Sequence, residues 1–141
     1  MLALLSMAVF FGCENTGPTT SDKDLMHIEY RQLVELLSRV SSRTPVVLID
    51  TRSPEQFAKG HIDGAINMPL GEVNPRDPRL AKGTVILYHE DFKGAYADIA
   101  AKKLLSNGLT NVLSYAGGYN DWISRKGEGG LPVPPSEDGK K

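Results

Sequence analysis

The stretch Val46-Val47-Leu48-Ile49-Asp50-Thr51-Arg52-Ser53-Pro54-Glu55-Gln56-Phe57-Ala58-Lys59-Gly60-His61-Ile62-Asp63-Gly64-Ala65-Ile66-Asn67-Met68-Pro69 decides the fold. Val46 to Ile49 is a continuous apolar run without alternation, the pattern of a strand buried on both faces in a parallel sheet. The run finishes near a charged pair, Asp50 and Arg52. Ser53, Pro54 and Glu55 then supply a helix N-cap, a proline at the first helical position and an acid in the first turn. This helix is brief, stopping at Gly60, and Ala65 to Met68 reads as a weak strand.

Working outward, Met26-His27-Ile28 is a short strand. Tyr30, Leu33, Val34, Leu37 and Val40 then recur at three- and four-residue intervals, as one face of a helix does. Downstream, Asn74-Pro75-Arg76-Asp77-Pro78 is turn chemistry and Thr84 to Tyr88 a second buried strand. Ala97, Ala100, Ala101, Leu104 and Leu105 mark another helix face, closed by Asn107-Gly108, and Val112-Leu113 is a final short strand. Repeated β-α-β units in a chain of 141 residues imply one α/β domain, a mostly parallel sheet with helices on both faces. With 16 Lys+Arg against 17 Asp+Glu and a net charge of -1, the chain has no electrostatic footprint for nucleic acid.

The ends differ from the middle. Residues 1–12 carry no charged side chain, are too short to span a bilayer, for which a helix needs about 20 residues, and match the apolar region of a secretory signal. The junction Gly12-Cys13 resembles the bacterial lipoprotein signal, although Phe10 and Phe11 stand where that pattern has Leu and a small residue. The resemblance implies lipidation of Cys13, cleavage before it, and a protein anchored in the cell envelope through its acyl chains. Residues 13–25 read as a flexible tether and 127–141, with Leu131-Pro132-Val133-Pro134-Pro135, as a disordered tail. The domain is expected over 26–126. Cys13 is the single cysteine, which excludes an intrachain disulfide and a paired-cysteine zinc site.

The stretch quoted first closely resembles the opening motif of the rhodanese-like family, Asp-x-Arg, then Glu-x-Phe, then Gly-His-Ile-x-Gly-Ala-x-Asn-x-Pro, here on Asp50, Arg52, Glu55, Gly60, His61 and Gly64. Gly117-Gly118 followed by Trp122 matches a second family motif. The resemblance implies a single rhodanese-like domain with about five strands. The residues themselves also have structural readings: Asp50 and Arg52 fixing a loop, His61 hydrogen bonded, Gly117 and Gly118 allowing a tight turn, and Trp122 closing the core.

Active members of that family carry a nucleophilic cysteine in the loop after the fourth strand. The corresponding loop here is His89-Glu90-Asp91-Phe92-Lys93-Gly94-Ala95-Tyr96, with no thiol. Counting back from Gly108 puts Asp91 at the cysteine position, whereas counting from the strand end puts His89 there. A persulfide needs a thiolate, and a carboxylate cannot form one. The expectation is therefore a domain with no catalytic residue and no cofactor, binding a protein or small ligand. Alternatives are a sulfurtransferase-related protein handling sulfur or anions, with a thiol lent by a partner, or a metal or anion site on His89, Glu90 and Asp91. Neighbouring side chains leaving a strand point in opposing directions, which argues against one ion held by all three, and no metal is expected.

Overall fold

In the computed structural model, which describes residues 25–126, the two apolar runs lie side by side as β2 (Val46–Asp50) and β4 (Thr84–Tyr88), paired in parallel from Val46 opposite Thr84 to Asp50 opposite Tyr88. The remaining strands are β1 (Met26–Ile28), β3 (Ile66–Asn67) and β5 (Val112–Tyr115). They complete a five-stranded sheet in the order β1-β5-β4-β2-β3, every pairing parallel. The helices are α1 (Tyr30–Ser38), α2 (Pro54–Lys59), α3 (Tyr96–Ser106) and α4 (Gly118–Arg125).

The missing alternation in β2 and β4 has a direct cause. Ile49, Val85, Leu87 and Val112 point to one face and pack against Ala97, Ala100, Ala101 and Leu104 of α3. Leu48, Ile86, Tyr88 and Tyr115 point to the other, against Tyr30 and Leu33 of α1, Trp122 of α4 and Phe57 of α2. Both faces are covered, so neither parity of the strand needs polar residues. Each fully buried aliphatic side chain contributes about 1.5–3 kcal/mol.

α2 is set by its start. The Ser53 hydroxyl accepts from the Gln56 N–H and the Gln56 side chain accepts from the Ser53 N–H, each at 3.3 Å, around Pro54 in the first turn. Gln56 is thus the capping partner, while Glu55 stays exposed.

Four sequence expectations are corrected. Leu25, assigned to the tether, is 5% exposed and belongs to the α3-side core, because the chain is already seated when it enters β1. Val40 lies beyond the end of α1 and is exposed. β5 runs on to Tyr115, paired with β1, although Ser114 and Tyr115 break the aliphatic pattern. Tyr96, counted with the loop, is the first residue of α3. The signal segment 1–12, Cys13, the rest of the tether before Leu25 and the tail 127–141 lie outside the described residues.

Candidate functional site

The loop from His89 to Ala95 leaves β4 at the C-terminal rim of the sheet, the end where open parallel α/β sheets bind ligands. His89 continues the α3-side parity of Val85 and Leu87. Its Nδ1 lies 3.1 Å from the Thr51 hydroxyl, which itself donates to the Tyr88 carbonyl at 2.9 Å. With its one proton given to that carbonyl, the hydroxyl can accept from His89 in the Nδ1–H tautomer, which leaves Nε2 as the acceptor nitrogen. The ring also tilts against Tyr96, centroids 4.6 Å apart. Burial, the largest influence, pushes the His89 pKa below its ordinary value and outweighs the pull of Asp50 and Glu90.

The next side chains diverge. Glu90 turns back to the sheet, accepting from Gln56 Nε2 at 2.7 Å and facing Arg52 Nη1 at 3.4 Å. Asp91 accepts from the Lys93 N–H at 2.9 Å, Phe92 projects outward at 76% exposure, and Gly94 passes beneath the His89 ring. Ala95 precedes α3 as its N-cap. His89, Glu90 and Asp91 do not converge, and no group of three His, Cys, Asp or Glu side chains suited to a metal ion exists among the described residues.

Beneath the loop, Arg52 donates to Asp50 from Nε (3.0 and 3.2 Å), Nη2 (2.7 Å) and its backbone N–H (2.9 Å). Nη2 also donates to the Gly60 carbonyl at 2.7 Å, and the Tyr119 ring covers the guanidinium at 4.0 Å. Burial alone would lower the Arg52 pKa, but the hydrogen bonds and charge of Asp50 outweigh it and hold it above its ordinary value. Tyr88 accepts from the Ile62 N–H at 3.1 Å, and its phenol is pushed well up by burial and then by Asp50. His61 lies outside this cluster, exposed, stacked on Phe57 with Nδ1 3.0 Å from the Phe57 carbonyl. Gly64 sits in the turn that follows, ahead of β3.

The second motif closes the loop from the other side. The N–H groups of Tyr119 and Asn120, at the start of α4, donate to the carbonyls of His89 and Glu90 at 2.8 and 2.9 Å. Such an approach needs bare backbone: Gly118 has φ +67°, and a Cβ there would stand 2.8 Å from the Asp91 nitrogen and from the Glu90 carbonyl atoms. Gly117 precedes it as the α4 N-cap, and Trp122 is 6% exposed, its ring 5.5 Å from Tyr30.

Sequence reasoning missed a polar cluster beside the loop. Asp98 of α3 accepts from Ser114 at 2.6 Å and lies 3.0 Å from His27 Nε2, and all three line a cavity of about 210 Å³ shared with His89 and Lys93. No local signal announces it, since His27 and Asp98 meet only through the β1 to β5 pairing. Gln56, Thr51 and Tyr119 were likewise not singled out.

A parallel α/β sheet with its loop cradled between two helix starts defines the class of protein, a small single-domain α/β fold with one rim site. Residues 32–125 match the family model of the rhodanese-like domain, and the chain belongs to that family. It is 30% identical over 103 residues to the thiosulfate sulfurtransferase GlpE of Shewanella oneidensis, covering 68% of this chain and 90% of that one. It is 25% identical over 128 residues to the thiosulfate:glutathione sulfurtransferase of Saccharomyces cerevisiae, covering 79% and 90%. Among solved structures it resembles the human single-domain sulfurtransferase TSTD1, with a TM-score of 0.58 and 27% identity over 70% of this chain and 96% of that one. Against three further relatives, two from Bacillus subtilis and one from Synechocystis, it spans only 58, 59 and 51% of the relative's length.

Proposed function

We propose that this chain is a rhodanese-like module of the bacterial cell envelope, held to a membrane by lipid on Cys13, whose loop binds a protein or small ligand instead of transferring sulfur. One observation carries the reading: the loop offers no thiol, and its carboxylates are engaged by Gln56, Arg52 and the Lys93 N–H. Sulfur transfer through a persulfide needs a polarisable thiolate at that place. The relatives named as sulfurtransferases share the scaffold, and function follows the site and not the scaffold. Phe92, Tyr96 and Ile99, at 76, 49 and 50% exposure, give the loop and the outer side of α3 an apolar edge suited to contact with a partner. The anchoring part rests on the uncharged run ahead of Gly12-Cys13.

The test has two arms. Protein extracted from membranes is weighed intact beside a Cys13→Ser variant, and the expected result is a lipid adduct on a chain beginning at Cys13, absent from the variant. Purified protein is assayed with thiosulfate and cyanide, and no thiocyanate above background is expected. Thiocyanate formed by the Cys13→Ser variant would overturn the binding reading; an unmodified chain in the soluble fraction would overturn the anchor.

A further inference from the structure

A cleft lies at the opposite end of the sheet from the loop, where α1 ends and β2, β4 and β5 begin. It encloses about 480 Å³, within the range of small-molecule sites. Leu36, Pro45 and Val46, each half-buried, form an apolar floor, and Arg39, Arg43 and Lys82 stand exposed around it. Among the described residues no Asp or Glu lines the cleft, and Glu35 pairs with Arg39 along α1 at 2.6 Å. A chain with net charge -1 thus gathers three cations over one apolar floor.

The walls are set before any ligand arrives. Ser41 and Thr44 exchange backbone hydrogen bonds at 3.3 and 3.1 Å, their hydroxyls meet at 2.8 Å, and the Thr44 hydroxyl donates to the Arg39 carbonyl at 2.8 Å. These bonds consume the turn's own polar groups and hold Arg43 at its outer corner. On the far wall Gly83 has φ +86° and lies so close to the Pro45 carbonyl that no side chain fits between them, while the Thr84 N–H donates to that carbonyl at 3.0 Å. The chain is thereby pinned under Lys82.

We propose that this cleft binds a small amphipathic anion, a carboxylate or sulfonate carried on an aryl or short alkyl body. The apolar body would cover Leu36, Pro45 and Val46, and the anionic group would meet Arg43 and Lys82. A fully polar anion would leave the floor wet, and a neutral apolar molecule would leave the cations unused. The site is independent of the loop reading, because the two lie at opposite ends of parallel strands.

Fluorescence titration of the full chain with anilinonaphthalene sulfonate tests it. Saturable one-to-one binding is expected, weakened about tenfold in an Arg43→Ser, Lys82→Ser double variant and weakened by salt, but unchanged in Phe92→Ser. Phenylbutyrate is expected to displace the probe and phenylbutanol, with the same apolar body and no charge, to do so at least tenfold less well. Equal displacement by both, unchanged affinity in the double variant, or loss of binding in Phe92→Ser would overturn the proposal. The competition pair decides the matter even where the double variant fails to fold.

Discussion

Arg52 grips Asp50 across a single intervening residue, Nη2 to Oδ2 at 2.7 Å, with the two side chains only 3% and 0% exposed. Two charges taken this far from water persist because the guanidinium meets both carboxylate oxygens and its remaining donors reach Gly60 and Glu90. Arg52→Leu would strand the Asp50 carboxylate and is expected to cost about 3–5 kcal/mol in urea denaturation. The double variant Asp50→Leu, Arg52→Leu should recover part of that loss, since no buried charge is then left alone. Additive losses would show that the two residues act separately.

Gly118 and the Glu90–Asp91 peptide make the second relationship with a measurable cost. Gly118→Ala must relieve both a positive φ and a Cβ at 2.8 Å from that backbone, so about 1–3 kcal/mol of destabilisation is expected. The damage should be local as well as global: hydrogen exchange of the Tyr119 and Asn120 amides, which hold the loop carbonyls, should accelerate more than exchange in β2. Thermal melting reads the first effect and exchange the second. Unchanged amides at a lowered Tm would separate the glycine from the loop.

His89 sets a pH dependence of known sign. Its folded pKa lies below the ordinary imidazole value of 6.5, chiefly through burial, so the folded protein binds fewer protons than the unfolded chain as the pH falls through that value. Its contribution to stability is present above about pH 6.5, declines below it, and levels off under the folded pKa. Urea midpoints for the protein and for His89→Gln should therefore diverge at neutral pH and converge toward acid, with the glutamine variant showing the flatter profile. Taking the difference isolates the His89 ring. Parallel profiles would show that the His89 ring titrates as it does in the unfolded chain.

What the sequence made legible was whatever a few neighbouring residues determine. Val46 to Ile49 and Thr84 to Tyr88 announce a doubly covered sheet because their lack of alternation is itself the mark of helices on both faces. Ser53 and Pro54 announce α2 because a cap acts within one turn. Leu25 escaped because one apolar residue after a polar stretch has no period, and Tyr96 escaped because nothing local fixes where α3 begins. The site was legible only as a list of members. That Glu90 would reach Gln56, or that Asp98 would join His27 to Ser114, depends on the register of parallel strands far apart in the chain. Motif spacing could place Arg52 beside Asp50, but not Tyr119 over its guanidinium.

A thiol can be placed in the loop to ask whether this scaffold supports persulfide formation. In a Cys13→Ser background the chain has no other cysteine, so an introduced thiol is the sole reactive sulfur. At position 91 the side chain already meets the Lys93 N–H at 2.9 Å, a donor that would favour a thiolate over a thiol. At position 89 the side chain is turned toward Thr51 and Tyr96, neither of which is a backbone donor. Asp91→Cys treated with thiosulfate should thus displace sulfite and gain one sulfur atom, seen by intact mass, whereas His89→Cys should not. The persulfide forms when the thiolate attacks the outer sulfur of thiosulfate and sulfite leaves with the bonding pair. Sulfur found on the position 89 variant alone would shift the nucleophile's place to the end of β4. Sulfur on neither would show that the Lys93 N–H does not activate a thiol at position 91.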